Sequence, residues 1–170
     1  MAAGDTKLVY GTAADVTITL ASLAPSSTLL AGRESSAIDN TSDKVLDYLV
    51  SGKIKTNATI TAGGRIEVWA VASWDGTLWS DVFDGTDSDE TISSANVKGV
   101  ICRLVASMQV DVTGTYYFNG VSLAERFGGV IPPKFVLFVV HNTHATNALD
   151  STGGNHQIRI QPVYQNVAVA

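Results

Sequence analysis

From Asp15 the chain alternates with period two. Val16, Ile18 and Leu20 share one side and Asp15, Thr17 and Thr19 the other, which predicts a half-buried strand. A loop at Pro25-Ser26-Ser27 and a polar stretch from Gly32 to Thr41 follow. Asp43 to Lys55 predicts the next strand, but its sides mix polarity: Val45, Asp47, Leu49 and Ser51 on one, Lys44, Leu46, Tyr48 and Val50 on the other. Such a strand is bulged or buried against a neighbour, with a short helix as the rival reading. Ala62-Gly63-Gly64 marks a turn, and Arg65 to Trp74 a strand with Ile66, Val68, Ala70 and Ala72 opposite Glu67, Trp69, Val71 and Ser73.

Asp75 to Ala95 then reads as a long acidic loop carrying Asp75, Asp81, Asp84, Asp87, Asp89 and Glu90. Val97 to Thr113 resumes strand, with Val100, Cys102, Leu104 and Ala106 on one face, and Tyr116-Tyr117-Phe118 ends at the turn dipeptide Asn119-Gly120. Ser122 to Phe127 predicts a short helix: Ser122 caps it, Glu125 stands three residues on, and Gly128 closes it. Behind Pro132-Pro133 the continuous run Phe135-Val136-Leu137-Phe138-Val139-Val140 predicts a strand buried on both faces. His156 to Tyr164 alternates again, Ile158 and Ile160 inward, Gln157, Arg159 and Gln161 outward. About seven to nine strands with at most one short helix predict an all-β fold, a two-sheet sandwich of the jelly-roll type. Residues 1–170 are expected to form a single domain, with an extended N-terminal segment over about 1–14 and the acidic loop at 75–95.

Composition agrees: 20 Val and 17 Thr stand against 4 Glu and 6 Lys, residues that fit a pleated sheet rather than exposed helix faces. Apolar residues make up 45% and charged ones 16%, which places the chain outside the disordered class. Sixteen acidic against eleven basic residues, a net charge of −5, argue against nucleic acid as the main partner. No apolar run approaches the ~18 residues of a membrane span, so no membrane partner is expected. Met1-Ala2-Ala3-Gly4-Asp5 has neither the basic nor the apolar region of a secretory signal, so the acceptor patterns Asn40-Thr41-Ser42 and Asn57-Ala58-Thr59 read as chance matches.

Candidate chemistry is sparse. A single cysteine excludes a disulfide framework within the chain, and Cys102 among apolar neighbours reads as an inert buried thiol. His141, His144 and His156 fall in one polar connection, where loop histidines bonded to backbone or water are the expectation rather than metal ligands. The acidic loop fails as an EF-hand: with Asp87 as position one, Lys98 stands where the bidentate Glu is required. No Gly-x-Ser-x-Gly elbow and no P-loop spacing occur, so neither an enzyme nor a cofactor site is expected. Trp74, Trp79 and Phe83 punctuate the acidic loop and are the candidate partner-binding residues; packing, a protein interface and sugar stacking are the three readings of them.

The segment from Phe127-Gly128-Gly129 through Pro132-Pro133 to His141-Asn142-Thr143, with the shorter strand Gln157 to Val163 and the early Gly11-Thr12-Ala13, resembles small virion structural proteins of tailed bacteriophages. The resemblance implies a capsid decoration or cement protein: a jelly-roll domain on the virion surface that binds the major capsid protein and touches further copies of itself, assembled in the bacterial host cytoplasm. A lone free cysteine suits that compartment. Two rivals stand beside it. One is a carbohydrate- or receptor-binding jelly roll of a tail fibre, using Trp74, Trp79 and the acidic loop; the other is a tail or head-completion component.

Overall fold

The alternation read along the chain resolves into two antiparallel sheets and a third layer over one of them. A computed structural model describes residues 6–167. Its elements are β1 (Thr6–Tyr10), β2 (Ala14–Asp15), β3 (Ala31–Glu34), β4 (Ile38–Asp39), β5 (Asp47–Lys55), β6 (Gly64–Ser73), β7 (Asp89–Thr91), α1 (Ala95–Ile101), β8 (Cys102–Val110), β9 (Thr115–Ser122), α2 (Leu123–Arg126), β10 (Lys134–His141) and β11 (Gln157–Val167). The first sheet runs β1-β11-β5-β9 with β2 also on β11; the second runs β7-β3-β10-β6-β8 with β4 also on β10. With β1/β2 and β3/β4 each taken as one broken strand and β7 set aside, the orders are first-eighth-third-sixth and second-seventh-fourth-fifth. That is jelly-roll connectivity, and the expected sandwich is the observed one.

Between the sheets lie Leu20, Tyr48, Val50, Ile54, Ile66, Val68, Ala70, Phe135, Leu137, Val139 and Ile158. A second cluster lies outside the second sheet: Val71, Phe83, Ile92, Cys102, Val136, Phe138 and Val140, with Trp69, Trp79, Val97 and Ile101 packed against it. The unbroken apolar run in β10 therefore has a simple cause. Phe135, Leu137 and Val139 point into the sandwich, while Val136, Phe138 and Val140 point into the outer cluster.

The acidic segment 75–95 is thus a covering layer and not a free loop, and it contributes its own strand, β7, to β3. Its carboxylates serve as straps: Asp87 accepts from Arg33 Nε at 2.6 Å and from Thr19 Oγ1 at 2.7 Å.

Four sequence expectations change. Residues 97–101 are helix and not strand, so the described residues hold two α-helices where at most one short helix was expected; Ser94 caps α1 by accepting from the Val97 N–H. Asn119-Gly120 is not a turn but a bulge inside β9 opposite Ser51, with Gly120 at φ 66°. The strand expected over Asp15 to Leu20 pairs in a ladder only at Ala14–Asp15; beyond it Val16 and Leu20 stay buried. The backbone there makes isolated bonds, the Val16 N–H to the Ile158 carbonyl at 2.8 Å and the Thr17 carbonyl from the Ser36 N–H at 2.9 Å. The polar stretch 32–41 supplies β3 and β4. The helix expected after Ser122 is α2, capped as the sequence reads, with the Ser122 hydroxyl accepting from the Glu125 N–H. Of the extended segment at 1–14, residues 6–10 pair with β11, and residues 1–5 lie outside the described residues.

Candidate protein interface

Three connections meet at one end of the sandwich: 40–46 before β5, 74–79 after β6, and 127–133 between α2 and β10. Gly128 and Gly129, at φ 80° and 104°, turn the chain sharply out of α2, and the Gly129 N–H reaches back to the Ala124 carbonyl at 2.6 Å. Asn40 fixes the first connection: its N–H donates to the Pro133 carbonyl at 2.8 Å and its Oδ1 accepts from the Val45 N–H at 2.9 Å. Asp75 Oδ1 fixes the second by accepting from the N–H groups of Thr77 and Leu78 at 2.8 and 2.7 Å. Hydrogen bonds to Asp75 hold its carboxyl below the usual carboxylate range, those from the Leu78 and Thr77 amides foremost.

An aromatic ladder runs from the core to this end. Tyr48 and Phe135 have ring centres 5.5 Å apart, Phe135 and Phe127 6.3 Å, and Phe127 and Trp74 6.1 Å with the last pair edge-on. Tyr48 and Phe135 are buried, whereas Trp74 is 58% exposed. Around Trp74 the same end shows Leu46 at 44%, Val130 at 63% and Leu78 at 75% exposure. A groove of ≈ 540 Å³ runs between Leu46 and Val130, floored by Val45 and Ile131 and walled by Pro133. This is an exposed apolar surface with a polar rim of Thr41 and Lys44.

The three aromatic candidates do not converge. Trp74 stands on this end surface. Phe83 is 4% exposed and packs edge-on against Phe138 at 5.2 Å, and Trp79 is half-buried against the same outer cluster. Leu46, Leu78 and Val130 were not singled out from the sequence. The signal for Val130 was present: Val130-Ile131 lies between Gly-Gly and Pro-Pro, where no strand forms, so an apolar side chain there has no sheet to enter.

The three histidines are bonded within the chain, and Cys102 is buried. His141 is buried, bonded to Thr143 Oγ1 at 3.1 Å and the Leu23 carbonyl at 2.9 Å, and burial holds its pKa below the usual histidine value. His144 Nδ1 accepts from the Thr146 and Asn147 N–H groups at 3.0 Å, and His156 Nε2 bonds the Asp150 carbonyl at 2.8 Å. Burial pushes the Cys102 thiol up to about 12. Among the described residues every buried polar side-chain atom has a hydrogen-bond partner, and no three His, Cys, Asp or Glu side chains are grouped as a metal site would require. No helix among them is long and apolar enough to cross a membrane.

No family model matches the chain, and neither does any curated protein. Among solved structures it is similar, over 97% of its length, to a chain in the structure of infectious bursal disease virus, Gx strain, at 12% identity and a TM-score of 0.39. It spans about a third (33%) of that chain's length. The likeness is remote, and no function is carried from it.

Proposed function

We propose that this protein is a structural component of a virion: a decoration or cement protein that docks on the outer surface of the major capsid shell through the Trp74 end and stabilises it. The observation that carries the reading is the ladder Tyr48–Phe135–Phe127–Trp74, which seats an exposed tryptophan at the end of the sandwich that also carries the groove between Leu46 and Val130. A large aromatic that is already ordered loses little entropy on binding, which is why such residues dominate association energies. One of the three connections at that end, Phe127 to Pro133, belongs to the segment on which the resemblance to tailed-phage virion proteins rests. Burying the patch supplies about 25 cal/mol per Å² of apolar surface before the costs of association, enough to add strength when repeated over many copies.

The test is back-addition to particles assembled without this chain. Purified protein is expected to fill many positions spread over the shell, visible by cryo-electron microscopy, and to raise resistance to heat. Trp74→Ala combined with Val130→Ser, folded by circular dichroism, is expected to leave those positions empty. Binding confined to one vertex would mark a head-completion component instead, and particles that take up neither protein would overturn the proposal.

A further inference from the structure

We infer that the open face of the first sheet is a binding site for an acidic saccharide. The second sheet has its outer face covered by residues 75–101, whereas on the outer face of the first Gln157, Arg159, Tyr117 and Asn119 are exposed. Strand register lays a grid of side chains on that face. Gln157, Lys53 and Tyr117 are direct cross-strand neighbours on β11, β5 and β9; Arg159 and Ser51 form the next row, completed by Asn119 in the bulge. With strands ~4.8 Å apart the grid is about 10 Å wide, the scale of a sugar ring with its substituents. These six residues, with Gly52 and Phe118, line a groove of ≈ 380 Å³.

The chemistry of the grid is selective. Two of the six side chains are cations and none is a carboxylate, in a chain whose net charge is −5. Asp15 at the edge of the grid accepts from Arg159 and Gln157, which leaves Lys53 as the cation without a carboxylate partner among the described residues. Tyr117 is 71% exposed, an aromatic platform for the C–H face of a sugar, and Gln157, Ser51 and Asn119 are hydroxyl partners. The grid is also held in place before any ligand arrives. Ser51 Oγ donates to Asn119 Oδ1 at 2.7 Å and accepts from the Gly120 N–H at 3.0 Å. Arg159 is anchored through Nε to Asp15 at 2.9 Å and through Nη2 to the Ala13 carbonyl at 3.1 Å. Lys53 Nζ donates to the Gly154 carbonyl at 3.0 Å, which leaves ammonium hydrogens for a ligand carboxylate. A neutral sugar would leave the Lys53 ammonium without a counter-charge, and two cations, one of them already paired with Asp15, are too few to grip a nucleic acid.

This inference goes beyond the shell-docking reading and uses a different surface. The experiment is an NMR titration of the whole chain with a galacturonic acid trimer and with sialyllactose, each against its neutral counterpart, a galactose trimer and lactose. At least one acidic sugar is expected to shift amides of β5, β9 and β11, with affinity falling as salt rises. Tyr117→Ala and Lys53→Gln, checked for folding by circular dichroism, are each expected to weaken binding about tenfold, while Trp74→Ala leaves it unchanged. Silence with both acidic sugars, equal binding of the neutral ones, or wild-type affinity in Lys53→Gln would overturn it. Because Trp74→Ala is the variant that tests shell docking, the two readings fail separately.

Discussion

Lys98 Nζ lies 3.0 Å from Glu67 Oε2 beneath the covering layer, with 8% and 9% of the two side chains exposed. The same ammonium donates to the Leu29 carbonyl at 2.6 Å and stands 4.5 Å from the centre of the Trp69 ring, while Trp69 Nε1 donates to Glu67 at 2.9 Å. One short helix is thus fastened to the back of β6 by a largely buried charge. A buried pair of this kind is weak evidence for net stability, yet costly to break on one side, because the remaining charge keeps its desolvation penalty.

Lys98→Met is therefore expected to cost about 3–5 kcal/mol in urea unfolding. Adding Glu67→Gln, which keeps an acceptor for Trp69, is expected to return most of that loss. A double variant no more stable than Lys98→Met would show that the pair is not what holds α1.

Glu34 is fully buried and accepts from the Gly85 N–H at 2.7 Å; burial pushes its carboxyl up to about 7 from 4.5. Between those values the folded chain keeps a proton that the unfolded chain has released. Its contribution to stability is therefore full below pH 4.5 and lost as pH rises through 7. His141 has the opposite sign, since burial lowers its folded value and the stability tied to its neutral form is lost as pH falls from 6.5. The difference between wild type and Glu34→Gln isolates the carboxyl, and it is expected to change by about 3 kcal/mol from pH 4.5 to 8. Parallel melting curves for the two proteins would refute it.

Two glycines should respond in opposite ways to alanine. At Gly32 in β3 a methyl group would fall onto the Val139 carbonyl oxygen of β10 and within 3.0 Å of the Phe138 ring, so Gly32→Ala is expected to lose about 1–3 kcal/mol or fail to fold. At Gly99 in α1 nothing lies within 4 Å, and Gly99→Ala is expected to gain about 0.5–1 kcal/mol from helix propensity. Denaturant midpoints decide both.

Cys102 is 3% exposed, and its raised pKa leaves essentially no thiolate at pH 8. A thiol reagent is expected to label it only at the rate of local opening, and at once in denaturant. Rapid labelling of the folded protein would mean that the layer to which residues 97–101 belong is not closed over Cys102.

The sequence made the sheets legible where alternation was strong. Ile66, Val68 and Ala70 face the core as their spacing predicts, and the apolar run of β10 is buried on both faces. It misled where distant contacts overrode local preference. Val97, Val100 and Ile101 favour strand, but Val97 and Ile101 pack into the outer cluster from a helix that Ser94 caps and Lys98 pins. Asn119-Gly120 supplies the positive φ that either a hairpin turn or a bulge needs, and only pairing with β5, some 68 residues away at Ser51, chooses the bulge. The Trp74 end stayed half-hidden for the same reason: Trp74 is conspicuous in the sequence, but Leu46 and Val130, exposed at the same end, arrive from two other connections.

β11 lies between β1 and β5 in the first sheet, although those partners are made far earlier. On the ribosome, then, β5 and β9 can pair with each other, and the second sheet can assemble from β3, β6, β8 and β10, while the slot for β11 stays empty. Until Gln157 and the residues after it emerge, the nascent chain carries an oily half-sandwich with a missing plank. A message truncated before that point should yield a product that clumps or is degraded rather than a smaller working protein.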